Sequence, residues 1–102
     1  MKDFKAIRQF LFDLDGTVYL GNKLIGNAVA SLKAIREKGV GVGFLTNNSS
    51  ETRVNYLNKL EKLGLYRKGD FFYSSLDCAV DYLSDKFAGK TFYPVASKKI
   101  NI

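Results

Sequence analysis

Three apolar runs punctuate the chain, and a segment with helical spacing follows each of them. Phe10-Leu11-Phe12 is the first, a continuous apolar run of the kind a buried parallel strand shows, so Gln9 to Phe12 is expected to be a strand. Val40 to Leu45 is the second and Phe71-Phe72-Tyr73 a short third. After the first run, Val18-Tyr19-Leu20 and Lys23-Leu24-Ile25 flank Gly21-Asn22 and read as a β-hairpin. Asn27 can cap a helix over Ala28 to Lys38 whose stripe is Ala28, Val29, Leu32 and Ile35. Arg36 and Lys38 oppose its dipole, and Gly39 suits the residue after its end. A second helix, from about Glu51 to Leu63, is capped by Ser49 or Ser50, buries Val54, Leu57, Leu60 and Leu63, and stops at Gly64. Leu65 to Asp70 reads as a loop. Ser74, with Asp77 three residues on, resembles a capping box for a third helix through about Phe87, with Cys78 as a small core residue. Ala88 to Lys90 is a turn, and Thr91 to Val95 reads as a fourth strand confined to an edge by Pro94. Lys2 to Arg8 is a polar lead-in, and Ala96 to Ile102 has no clear pattern. The strand-helix-strand unit should be parallel with a right-handed crossover.

The chemistry gathers where the first run ends. Asp13 and Asp15 follow the strand, one residue apart, and Gly16 and Thr17 come next. Open α/β sheets bind ligands at the carboxyl ends of their strands. If the chain stays extended, the two carboxylates point the same way, roughly 7 Å apart. They would then repel by about 2 kcal/mol at an effective dielectric near 20. A hard divalent cation removes that cost, and Mg²⁺ prefers such oxygen ligands. The second run ends in Thr46 and Asn47. A hydroxyl and backbone N–H groups at a strand-to-helix turn suit a phosphate oxygen. The competing reading of Thr46 to Ser50 is a plain capping turn. Gly39, Gly41 and Gly43 do not match a nucleotide loop, because they precede or lie inside a strand; close packing of a helix on the Gly41/Gly43 face accounts for them.

Composition narrows the chemistry. The 102 residues amount to one domain at most, and no apolar run approaches the roughly 20 residues needed to span a membrane. With no histidine, Ser-His-Asp and Cys-His catalysis and His-ligated zinc drop out, leaving carboxylate chemistry. Cys78 is the single cysteine, which excludes an internal disulfide and fits a reducing cytoplasm; no signal-peptide core follows Met1. The net charge of +6 is spread evenly, with seven basic against four acidic residues in 1–50 and nine against six in 51–102. There is no basic arm. Such a surface can be a solvated lysine excess, can draw in phosphorylated substrates, or can mark a nucleic-acid surface, the least favoured of the three.

Asp13-Leu14-Asp15-Gly16-Thr17 resembles the first motif of the haloacid dehalogenase (HAD) superfamily of phosphatases, and Phe44-Leu45-Thr46-Asn47-Asn48-Ser49 resembles the second. The Thr-Asn-Asn-Ser form, with Tyr19 shortly after the first motif, is similar to the NagD/p-nitrophenylphosphatase-like branch, and the match runs from about Phe10 to Leu83. The resemblance implies a Rossmann-like parallel sheet, strand order 3-2-1, with helices on both faces and the hairpin as a flap. It implies a Mg²⁺-dependent phosphomonoester hydrolase acting on a small phosphate ester, with no nucleic acid and no membrane as partner. It assigns nucleophile to Asp13, general acid/base to Asp15, metal binding to both, and phosphate oxygens to Thr46 and Asn47. Family members also use a later Lys or Arg and a later acidic pair. Asp77, Asp81 and Asp85 are spaced by four on one solvated helix face, and Lys98 and Lys99 follow no convincing strand. The chain is therefore expected to be a truncated core over 1–102, with residues from about 74 opening the cap region. Its first strand should carry a bare edge, giving marginal stability or an association, with a second copy or a completing chain, that covers it. The alternative function is a non-catalytic phosphate- or partner-binding fragment.

Overall fold

The computed structural model describes residues 6–93 and residue 95. Five strands and three helices follow in the order β1 (Gln9–Asp13), β2 (Tyr19–Leu20), β3 (Lys23–Leu24), α1 (Ala28–Glu37), β4 (Gly41–Thr46), α2 (Arg53–Lys62), β5 (Phe71–Ser74) and α3 (Ser75–Lys86). β1, β4 and β5 form a parallel sheet with β4 in the centre, which is the expected strand order. β2 and β3 form the expected antiparallel hairpin, with Tyr19 opposite Leu24. Among the described residues no helix is long and apolar enough to cross a membrane. Of the expected fourth strand, residues 91–93 and 95 adopt no strand, and Pro94 lies outside the described residues, as do the tail from Ala96 and most of the lead-in.

Paired residues in a parallel ladder point to the same side, so Phe10, Phe12, Val42, Phe44, Thr46, Phe72 and Ser74 share one face. Val42, Phe44 and Phe72 join Leu14, Val18, Tyr19, Leu32, Tyr56, Leu60 and Leu65 in the core. α1 presents Leu32, with Ala28 and Ile35 partly buried, as its spacing predicts, whereas Val29, expected in the same stripe, is exposed. α2 differs from expectation. It buries Tyr56 and Leu60, with Leu57 and Leu63 at the margin, and Val54 is exposed. A stripe repeating every three residues drifts off a 3.6-residue helix, whereas Tyr56 lies one turn from Leu60. The α2 cap is also displaced, because Asn48 Oδ1 accepts the backbone N–H and hydroxyl of Ser50, and Thr52 Oγ1 accepts the Asn55 N–H instead. Asn27 stands at the start of α1 without a side-chain capping bond. Ser74 and Asp77 do form the capping box of α3.

The other face carries Gln9, Leu11, Asp13, Gly41, Gly43, Leu45, Phe71 and Tyr73. α3 reaches it at the β5 side, where the Tyr73 hydroxyl donates to Asp81 at 2.6 Å. No residue of α3 is fully buried, and Cys78 is exposed rather than in the core. Asp77 and Asp81 are not simply solvated, since Asp77 pairs with Arg53 at 3.1 Å. Nor does a helix explain the two glycines. A Cβ at Gly41 would meet the Gln9 amide, and one at Gly43 the Leu11 methyl at 2.6 Å, so side chains of the neighbouring strand lie across them. Arg36 does more than oppose a dipole: from α1 it forks onto Asp70 and the Leu65 carbonyl, fastening the loop before β5.

Candidate functional site

The site lies at the carboxyl ends of β1 and β4. Register sets its first feature: Asp13 pairs with Leu45, so Asp13 stands beside the residue that precedes Thr46. Asp13, Thr46 and Asn47 line one open depression together with Leu45, Tyr73, Ser74, Ser75 and Cys78. Three of the four expected site residues are thus brought together. Asp15 lies outside that depression. β1 ends at Asp13, Leu14 turns fully into the core, and Gly16 takes a φ of 84°. Backbone N–H groups of Thr17 and Val18 both donate to the Leu14 carbonyl, closing a tight turn. The two carboxylates consequently have different partners. Asp13 Oδ2 accepts from the Thr17 hydroxyl at 3.3 Å, and Asp15 Oδ2 accepts from the Tyr56 hydroxyl of α2 at 3.4 Å.

The second motif is held as firmly. Thr46 is buried, and its Oγ1 accepts the Asn48 N–H at 3.1 Å, which leaves its own proton to donate. Asn47 is exposed, and its carbonyl accepts from Ser75 Oγ at 2.9 Å, tying the loop to the start of α3. Burial raises the Tyr56 phenol above its ordinary value, the hydrogen bond from Thr46 partly lowers it, and the Asp15 charge raises it again. Tyr56 therefore stands between the two motifs.

Tyr19 completes the surroundings. It is wholly buried, and its hydroxyl has no partner of normal hydrogen-bond geometry among the described residues. Burial first and the Asp15 carboxylate second push its phenol far above the ordinary range. The Lys59 ammonium sits 4.2 Å from the centre of its ring. Sequence spacing singled out neither Tyr56 nor Ser75. Only the one-turn interval to Leu60 marks Tyr56 as an inward residue, and nothing local marks its hydroxyl as a partner of Asp15, 41 positions away.

Two exposed carboxylates beside a hydroxyl and a backbone turn suit a hard divalent cation shared with a phosphate, since Mg²⁺ is commonly held by one or two carboxylates plus substrate oxygens. No cluster of three Asp, Glu, Cys or His able to hold a metal occurs among the described residues. The donor class fits, and what these residues supply is part of a ligand set.

Known proteins match this arrangement. The family model described as haloacid dehalogenase-like hydrolase matches residues 10–101. Glycerol-3-phosphate phosphatase of Rattus norvegicus is 37% identical over 84 residues, covering 78% of this chain and 26% of that protein. Acid sugar phosphatase of Staphylococcus aureus is 31% identical over 101 residues, covering 99% of this chain and 38% of that protein. The crystal structure of a 4-nitrophenylphosphatase from Thermotoga maritima superposes with a TM-score of 0.71 at 31% identity, over 79% of this chain and 31% of that one. The chain thus spans between about a quarter and two fifths of the length of these relatives.

Proposed function

This chain belongs to the haloacid dehalogenase-like hydrolases, and from that premise we propose that it carries the nucleophile-bearing part of a Mg²⁺-dependent phosphomonoester hydrolase. The observation that carries the reading is the shared depression of Asp13, Thr46 and Asn47 at the sheet's carboxyl end. Asp13 attacks phosphorus and forms an aspartyl-phosphate, which divides hydrolysis into two easier steps. Asp15 protonates the leaving oxygen and then activates water. Thr46 and Asn47 hold phosphate oxygens through the Thr46 hydroxyl and the backbone of the turn. The Asp13 carboxylate and the Asp15 backbone carbonyl would hold Mg²⁺, which when bound offsets the repulsion between an anionic nucleophile and an anionic ester. The substrate is a small phosphate ester, drawn by the even lysine excess, and neither nucleic acid nor membrane is a partner. Residues from about 74 open the cap-domain region, and the single thiol fits a cytoplasmic setting.

A second reading has its own support. With no third metal-ligating side chain beside the two aspartates among the described residues, the same site can hold phosphate or a partner without turning it over. Hydrolysis of p-nitrophenyl phosphate, with and without Mg²⁺, beside Asp13→Asn, separates the two. Metal-dependent turnover that falls by a factor of about 10³ or more in the variant establishes the hydrolase. Wild-type release no faster than the variant's, with phosphate binding retained, establishes the binding fragment.

A further inference from the structure

The Tyr56 hydroxyl stands between the two motifs and belongs to neither. It donates to Asp15 Oδ2 at 3.4 Å, and the Thr46 and Asn48 side chains lie close enough to act on it. Its ring is fixed independently of that hydroxyl, buried in the core and packed 5.6 Å from Phe72. Asp15 sits on the turn after β1, its backbone bridged to Tyr19 while its carboxylate is exposed. A carboxylate on a turn has free side-chain torsions, whereas one bonded to a helix-borne phenol does not. Buried Tyr19 also lies near Asp15, and its hydroxyl lacks an ordinary partner among the described residues. A phenol hydroxyl can donate as well as accept.

We propose that Tyr56 is a positioning residue that holds the Asp15 carboxylate in register with Thr46, so that Asp15 delivers its proton to the leaving oxygen rather than to solvent. The hydroxyl forms and breaks no covalent bond. It aligns the carboxylate and ties the turn after β1 to α2, the helix that follows the Thr46 to Asn48 turn. The role in turnover rests on the reading of Asp15 as the acid/base; the mechanical link between Tyr56 and Asp15 does not.

The test is Tyr56→Phe, which keeps the ring and its packing. Its effect is read on two esters, p-nitrophenyl phosphate and glycerol 3-phosphate. Nitrophenolate leaves with little help, whereas an alkoxide needs its proton. The expected result is a kcat about tenfold lower on the alkyl ester, a loss under about threefold on the nitrophenyl ester, and KM little changed on either. Equal losses on both esters, or none, overturn the catalytic role. In parallel, denaturant unfolding of Tyr56→Phe, Asp15→Asn and the double variant reads the link directly. Positioning predicts unfolding constants that depart from simple multiplication by about threefold or more. Independent effects overturn the link even if the protein is an active hydrolase. If the wild type turns over neither ester, the proposed function fails for this protein, and the unfolding cycle still decides whether Tyr56 holds Asp15.

Discussion

On one face of the sheet Phe44 and Phe72 are 0% and 2% exposed; on the other Leu11, Leu45 and Phe71 are 53%, 37% and 49% exposed. The residues compared are all large and apolar, so side-chain type did not produce the difference. Chain direction did. From β1 to β4 to β5 the sheet grows one way, and two crossovers in the same direction, if of the same hand, place α1 and α2 on the same side, where both join one core. α3 starts at the outer strand and covers the second face only around Tyr73. Gly41 and Gly43 flatten that face further, so Gln9 and Leu11 lie across it with little above them. A continuous apolar run therefore marks a strand that tolerates cover on both sides, which is a different statement from having it.

The sharpest way to break this comparison is to delete the same ring from each face. Phe44→Ala should cost about 3–5 kcal/mol of stability by opening a cavity, whereas Phe71→Ala should cost less than half of that. Denaturant unfolding of both variants checks it, and equal losses would mean that the second face is covered in solution. Next in size is an alkaline effect on the filled side. The folded-state value of the Tyr19 phenol lies above its unfolded one, so its stabilising contribution is complete below about pH 10 and is lost as pH rises further. Thermal melts from pH 8 to 11 should show stability falling above pH 10, and Tyr19→Phe should flatten that fall. The smallest expected effect is Leu11→Ser on the open face, within about 0.5 kcal/mol of wild type in stability. If the open face draws copies together, sedimentation velocity should show less association in this variant. Association left unchanged would assign the contact to the outer edge of β1, which no described strand pairs.

The order and type of the main elements were legible because each is coded locally: apolar runs, a Gly-Asn hairpin, and the capping box of Ser74 and Asp77. The candidate site was half legible. Asp13, Thr46 and Asn47 were readable as strand ends, since the ends of neighbouring parallel strands fall together wherever the strands pair. Asp15 was readable as a residue but not as a geometry, because extension beyond Asp13 was the wrong premise. Gly16 turns the chain, and Leu14 goes into the core. Cys78 was read as a small core residue because free thiols are commonly buried, yet α3 has no deep face to bury it.

By itself, then, the sequence determined the order and type of the main strands and helices, which two segments bear the acidic and hydroxyl groups, and the family to which they belong. Tertiary structure alone decided that Tyr56 meets Asp15, that Arg36 clamps Asp70 from 34 positions away, and that the described residues leave one sheet face open. The physical reason is range. Propensity, capping and periodicity act within a few residues, whereas burial and hydrogen-bond partners depend on which helix the crossovers bring over which face.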